Sequence, residues 1–342
     1  MTPKSLLADI ALPASAVAKK SSLPIIECLH INKGRITGTD LERQISAAVD
    51  LDLSCCVPAD RFQAALKALP PDCELKLDMQ EQRLRVRGGR SKFMIPTLPI
   101  DDFPSQEWVE PDVVVENPSD VAAAIRTVEP AMALHDVRYY LIGIGVQDGA
   151  LNATNGHWMA KHDCKSLPDG IIIPRSSVPM LLTALDEETV RYGVNDRGLH
   201  IAANGYRLST KLIEGKFPDC GLYWRKRGYA QTWTVDREEF AAAASSVNDG
   251  RPKSKFSGAM VKVADGAMTF EYAQAGEEAQ SQISCDGPAY ECAFDLEYLV
   301  AAAKTIGGER LTLSSDLGDG RSELCLTGDD PAQRVVIMPV RV

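Results

Sequence analysis

Apolar positions in this chain switch between two spacings. Residues 57–69, 173–185 and 294–304 each open on an apolar residue, continue with Pro or Asp, and then repeat apolar residues at helical spacing. They start at Val57, Ile173 and Phe294, about 115–120 residues apart. Each leads into short runs of alternating apolar and polar residues: 74–79 and 83–87, 189–194 and 199–203, 310–313 and 323–326. Period-two alternation, with turns at Asn195-Asp196 and Gly318-Asp319-Gly320, predicts antiparallel hairpins. Three more helices are expected between these landmarks. They are Leu6–Lys19, Ser119–Val128 after the capping run Asn117-Pro118-Ser119-Asp120, and Asp236–Val247 with Asp236 as N-cap and Glu238-Glu239 at the positive helix end.

Six helix starts, near residues 6, 58, 119, 174, 236 and 294, divide the chain into modules of one helix and several strands. Paired, they predict an α+β protein of three similar domains, 1–112, 113–228 and 229–342. The expected boundaries are the acidic stretch Glu110–Asn117 and the stretch Tyr223–Gln231 with its Arg225-Lys226-Arg227-Gly228 run. The first two units close alike, on Phe103-Pro104 and Phe217-Pro218. Alanine-rich runs such as 121–124, 240–244 and 300–303 favour helix and allow close approach to a sheet.

Composition narrows the function classes. With 342 residues, 45% hydrophobic and 25% charged, the chain is long enough for two or three ordinary domains. No apolar run reaches the roughly 18 residues of a membrane span, and Met1-Thr2-Pro3-Lys4 does not read as a signal peptide. Nine cysteines without a Cys-x-x-Cys pair read as reduced, buried thiols of a cytoplasmic protein. Phosphate-loop, dinucleotide, zinc-protease and nucleophile-elbow motifs are missing. His157, His162, Asp163 and Cys164 lack a paired metal-ligand spacing. No catalytic site, metal or cofactor is expected. A net charge of −10 argues against a surface coated by nucleic acid, yet leaves room for one basic face.

Particular residues carry a resemblance. In order along the chain stand Gly38-Thr39-Asp40-Leu41-Glu42, Gly89-Arg90-Ser91-Lys92-Phe93, Thr97-Leu98-Pro99, Asp102-Phe103-Pro104, Leu134-His135-Asp136-Val137-Arg138-Tyr139-Tyr140-Leu141, Thr154-Asn155-Gly156-His157 and the terminal Val335-Val336-Ile337-Met338-Pro339-Val340-Arg341-Val342. Together they resemble the beta subunit of bacterial DNA polymerase III, the sliding-clamp family. The resemblance implies the DNA-clamp fold, with helices lining a ring and sheets outside. Two chains would form a homodimeric ring around double-stranded DNA and tether the polymerase III alpha subunit, the clamp loader and other proteins bearing a clamp-binding motif.

Carried over by position, the resemblance implies DNA contacts at Lys20, His135, Arg138, Tyr139 and Tyr140. Arg61, Lys67, Arg126, Arg175 and Lys304 are added from their charge on the expected inner helices. Each of these charges also reads as a solvated surface charge, and the two tyrosines as core aromatics. A partner-peptide pocket is implied at Leu141, Thr154, Gly156, His157, Trp158, Met159, Pro218, Val336, Ile337, Met338, Pro339, Val340 and Arg341. The family commonly has a basic residue at Trp158 and a basic-rich run where Cys220-Gly221-Leu222-Tyr223 stands, so a more aromatic, less charged rim is expected. At the dimer seam, Phe93 and Ile95 are expected to meet Ser245, Ser246 and Val247; serines there would weaken the dimer. The alternatives are a diverged or mobile-element clamp paralogue with restricted partners, a cytosolic enzyme using His157, His162 or a cysteine, and a scaffold that does not bind DNA.

Overall fold

Six helices each lead into a three-stranded antiparallel meander. Helix α1 (Pro3–Ser15) precedes Cys28–Asn32, Arg35–Thr39 and Arg43–Ala48; α2 (Ala59–Lys67) precedes Leu75–Gln80, Arg83–Gly88 and Ser91–Pro96. Helix α3 (Pro118–Val128) precedes Gly143–Gln147, Ala150–Thr154 and Trp158–Asp163; α4 (Val178–Leu185) precedes Val190–Asn195, Gly198–Ala203 and Tyr206–Thr210. After a short extra helix, α5 (Gly221–Trp224), come α6 (Arg237–Gly250) with Gly258–Ala264, Ala267–Gln274 and Glu277–Ser284, and α7 (Leu296–Thr305) with Arg310–Ser315, Leu324–Thr327 and Gln333–Ile337. The computed structural model describes residues 1–196, 198–224, 228–252, 258–274, 276–316 and 322–341. The turn expected at Gly318-Asp319-Gly320 and the run Arg225-Lys226-Arg227 lie outside the described residues.

Local chemistry accounts for the elements. The first, third and fifth meanders turn on Lys33-Gly34, Asp148-Gly149 and Asp265-Gly266, where both residues have positive φ. That is the two-residue hairpin turn whose twist matches the strands. Asp236 caps α6 by accepting from the backbone N–H of Glu238 and Glu239, both at 2.9 Å. Asp295 caps α7 in the same way through Glu297 N–H at 2.9 Å. Helix α1 departs from expectation. It starts at Pro3, because Thr2 and Ser5 form a capping box, and ends at Ser15 rather than Lys19. Beyond it, Ala18 N–H donates to the Ile26 carbonyl, which draws the chain into the Pro24–Glu27 turn. The fourth helix also begins later than expected. Arg175–Ser177 form a 3-10 turn, and the α-helix proper opens at Val178 with Pro179 in its first turn, where a missing N–H is harmless.

The modules interleave. One compact unit comprises Met1–Pro118 and Pro179–Leu212, the other Ser119–Val178 and Ile213–Val342. In the first, strand Arg43–Ala48 of module one pairs with Tyr206–Thr210 of module four, which completes an eight-stranded sheet. In the second, Trp158–Asp163 of module three pairs with Gln333–Ile337 of module six and completes another sheet of the same strand order. The registers agree: Ala47 and Ile45 oppose Tyr206 and Leu208, and His162 and Ala160 oppose Gln333 and Val335. Module two forms a three-stranded sheet, and module five a four-stranded one with Tyr290–Asp295. Each sheet buries one face under helices. In the first unit Leu6, Ile10, Phe62 and Leu66 pack on Leu29, Ile31, Ile36, Leu84 and Val86.

The cysteines are thiols, all buried except the half-buried Cys73. Burial pushes Cys28, Cys55 and Cys220 up to about 11 and Cys56 to about 12, which leaves them protonated and inert. Among the described residues no group of three or more His, Cys, Asp or Glu could hold a metal ion. His200 is buried between Ser209 Oγ at 3.0 Å and Asn195 Oδ1 at 3.3 Å, and burial lowers its pKa below the ordinary 6.5. The unfolded chain therefore takes up this proton first, and stability should fall as pH drops through 6.5. Denaturant midpoints measured across that range in wild type and His200→Gln should show a shallower slope in the variant.

Candidate partner pocket and nucleic-acid face

A cavity of about 220 Å³ opens in the second unit, and its lining comes from four separated segments. The first wall is the 154–158 hairpin loop. Thr154 Oγ1 donates to the Trp158 carbonyl at 2.7 Å and accepts from Gly156 N–H at 3.0 Å. Asn155 Oδ1 accepts from the backbone N–H of His157 at 2.9 Å and of Trp158 at 3.2 Å. Gly156 has φ +89°, a conformation that favours glycine, and a Cβ there would lie 2.9 Å from Nη2 of the flexible Arg138 side chain. Trp158 is 2% exposed. Its ring stacks on Tyr298 at 5.6 Å and 17°, and Tyr298 also stacks with His157 at 6.4 Å. The expectation of an aromatic rim at Trp158 is therefore corrected: a large flat ring opposite Tyr298 gains more by burial than by exposure, and it forms wall interior.

The second wall is Pro218, Asp219, Cys220 and Tyr223. Asp219 Oδ1 accepts from Gly221 N–H at 2.8 Å and opens the single turn of α5. Trp224 closes that turn. Its Nε1 donates to Oδ1 of the buried Asn152 at 2.8 Å, and its carbonyl accepts from Arg334 Nη1 at 3.0 Å. The floor is Leu141, Met159, Val336 and Met338, the last tied by its N–H to the His157 carbonyl at 2.9 Å. Arg138 stands at the mouth, paired with Asp136 at 2.8 Å. That pairing holds the Asp136 carboxyl at about 2.

Nine of the residues expected in a pocket thus line one cavity: Leu141, Thr154, Gly156, His157, Trp158, Met159, Pro218, Val336 and Met338. Ile337 alternates to the other face and is fully buried. Pro339, Val340 and Arg341 run on outside the cavity lining, and Val340 N–H donates to the Ala293 carbonyl at 2.9 Å. Arg138, Asp219, Cys220 and Tyr223 join the lining, and of these Arg138 was expected on the DNA side only. Its Asp136-x-Arg138 spacing is the signal that could have placed it, because the bidentate pair fixes the guanidinium beside the Gly156 turn.

Of the remaining candidates for DNA contact, Lys20, Arg61, Lys67, Arg126, His135, Tyr139 and Lys304 are exposed. Arg175 is half-buried and donates to the Met132 carbonyl at 3.3 Å. Tyr140 is half-buried against the Ile172, Phe217 and Cys220 cluster behind the pocket. Of the seam candidates, Phe93 and Ser245 are half-buried and Ser246 is exposed, while Ile95 and Val247 are buried within their own units.

Comparison with known proteins places this arrangement. Residues 2–107 match the model of the DNA polymerase III beta subunit N-terminal domain, and residues 117–219 that of its central domain. The chain belongs to the DNA polymerase III beta subunit family, the beta sliding clamps. The Vibrio cholerae beta sliding clamp is 28% identical over 366 residues, covering 98% of each chain. That of Pseudomonas aeruginosa is 29% identical over 374 residues, covering 99% of this chain and 98% of its own. The crystal structure of the DNA polymerase III subunit beta from Pseudomonas aeruginosa superposes with a TM-score of 0.88 at 28% identity, over 100% of this chain and 99% of that one. The family is one of non-catalytic processivity factors. Among the described residues no helix is long and apolar enough to cross a membrane.

Proposed function

We propose that this chain is a DNA sliding clamp. Two copies close head to tail into a ring around duplex DNA and tether the replicative polymerase and other partners through the apolar pocket. One observation carries this reading. Module one pairs with module four and module three with module six, in one register. Among the described residues, modules two and five have no such partner. The same rule, carried onward, joins strand Glu277–Ser284 of module five to strand Ser91–Pro96 of module two in a second copy. Two such seams close the ring and leave no open sheet edge there.

The register follows from the other two junctions. Ser281 occupies the place of Ile45 and Ala160, and Phe93 that of Leu208 and Val335, so they oppose each other across the seam. Ile283 then faces Ser91 and Ala279 faces Ile95. The faces agree, since Ile283 and Ile95 are buried while Ala279, Ser281, Ser91 and Phe93 are half-buried. Directly opposed residues in an antiparallel pair lie about 4.5–5.5 Å apart at Cα, within disulfide reach. A chain carrying Phe93→Cys and Ser281→Cys should cross-link into covalent dimers and closed rings on oxidation. Absence of cross-linked dimer, with each single variant behaving alike, would overturn the register.

In this reading the three domains are 1–112, 113–228 and 229–342. Lys20, Arg61, Lys67, Arg126, His135, Tyr139 and Lys304 meet phosphates without reading bases, as a sliding ring requires. An acidic remainder keeps DNA in the hole. The pocket takes a short peptide from the polymerase III alpha subunit, the clamp loader and other motif-bearing proteins, with an apolar anchor on Leu141, Val336 and Met338. The protein works in the cytoplasm and needs no cofactor.

A further inference from the structure

A second cavity, of about 390 Å³, lies on the eight-stranded sheet of the first unit. Arg191 and Arg207 sit on either side of Ala202 across three neighbouring strands. Strand spacing puts their Cα atoms about 10 Å apart over a floor with no side chain larger than a methyl group between them. Arg35 borders the same cavity, and three hydrogen bonds fix its guanidinium: to Ser46 Oγ at 2.8 Å, the Ser46 carbonyl at 2.8 Å and the Gly205 carbonyl at 3.1 Å. The acid lining this cavity is Glu110, at a loose 3.7 Å from Arg207. Three guanidiniums against one carboxylate are unusual in a chain of net charge −10. Burial and the nearby Arg207 charge press the Arg35 pKa down, and Glu110 offsets this in part. Arg191 has no ion-pair or hydrogen-bond partner for its side chain among the described residues.

We propose that this cavity is a binding site for an acidic peptide segment of a partner protein, separate from the apolar pocket. Glu110 shows the chemistry the site takes. Its carboxylate is held by Trp108 Nε1 at 2.8 Å and turned toward Arg207, so the site already seats one carboxylate of its own chain. A guanidinium fork on each side of a small-residue floor suits carboxylates from an extended strand. Single-stranded nucleic acid fits less well. It needs an open aromatic face for base stacking, and Trp108 is engaged by Arg207 over its ring at 5.2 Å and by the His200 edge contact at 5.7 Å. Beyond the patch, the acidic surface repels a long polyanion more than a short acidic segment.

The test titrates hexaglutamate into the full chain by calorimetry at low salt. Binding should saturate and weaken as salt rises. Arg191→Ala, an exposed change, should weaken it about tenfold, the loss of one charge-assisted contact. Glu110→Gln should tighten it by removing the competing carboxylate. Met338→Ala, in the apolar pocket, should leave it unchanged, so failure of one site is distinguishable from failure of the other. No saturable binding, indifference to both Arg191→Ala and Glu110→Gln, or tighter binding of a six-nucleotide oligothymidine through the same residues would each overturn the proposal.

Discussion

A chain carrying Ser281→Arg is expected to sediment as a monomer and to leave circular DNA as fast as it leaves linear DNA. Ser281 alternates inward on strand Glu277–Ser284, between the half-buried Ala279 and the buried Ile283. In the proposed register Phe93 of the second copy opposes it, and Phe93 packs at the edge of a core with Leu84, Val86 and Ile95. An arginine there would put an unpaired charge into an apolar seam, a cost of about 3–5 kcal/mol. The ring has two identical seams, so the penalty counts twice, and the dimer dissociation constant should rise by a factor of a thousand or more. Ser281→Val should act in the opposite direction. At the equivalent places the other two junctions oppose Ile45 to Leu208 and Ala160 to Val335, apolar on both sides. The proposed seam would oppose a phenylalanine to a serine, and this, more than Ser245 and Ser246, is where a weak dimer would arise. Sedimentation across a dilution series measures both variants. A Ser281→Arg chain that remains dimeric at nanomolar concentration sinks the register.

Retention on DNA separates the ring from an ordinary binder. A ring is held by topology, so wild type should stay on a closed circle and run off after linearisation. The Ser281→Arg monomer keeps every basic helix residue but loses that difference. If it were retained on circular and linear DNA alike, helix contacts rather than closure would be holding the DNA.

The elements were legible in the sequence because their causes are local. Asp236 and Asp295 cap helices with their own side chains, and Asp148-Gly149 or Asp265-Gly266 turn a hairpin within two residues. Six modules could therefore be counted. Their interleaving could not. The pairing of Arg43–Ala48 with Tyr206–Thr210 joins distant segments, and nothing in either strand's alternation names the other. The pocket was legible where resemblance supplied positions, as at Leu141 and Met338. It was not where packing alone decides: the anchoring of Trp224 on Asn152, the turn of Ile337 away from the cavity, and the place of Arg138 at its mouth. Arg175 shows the opposite case. Its charge and helix position suggested a DNA contact, but the 3-10 turn ties it to the Met132 carbonyl.

Gly145→Ala should weaken peptide binding at the apolar pocket roughly thirtyfold or more while leaving the ring assembled. In module one the equivalent position is His30, whose ring stacks on Phe103 at 4.6 Å. In module three it is glycine, and Phe217 sinks onto the strand instead. A Cβ at Gly145 would stand 2.3 Å from Phe217 Cγ and within 2.7 Å of both Cδ atoms. Phe217 is 3% exposed and packs with Ile172 and Cys220, so it cannot turn aside cheaply. It must rise, and it carries Pro218, Asp219 and Cys220 with it, which is most of one wall of the cavity. Overpacking of this kind costs about 1–3 kcal/mol of stability. Loss of an anchor wall should weaken a bound peptide by about 2 kcal/mol or more, roughly thirtyfold. Phe217→Leu on the Gly145→Ala background removes the clash and should recover part of both losses, a coupling that independent sites would not give. Gly145 lies far in sequence from the seam strands, so cross-linking through Phe93→Cys and Ser281→Cys should be unchanged. Wild-type peptide affinity in Gly145→Ala would mean that the Phe217 wall does not shape the site.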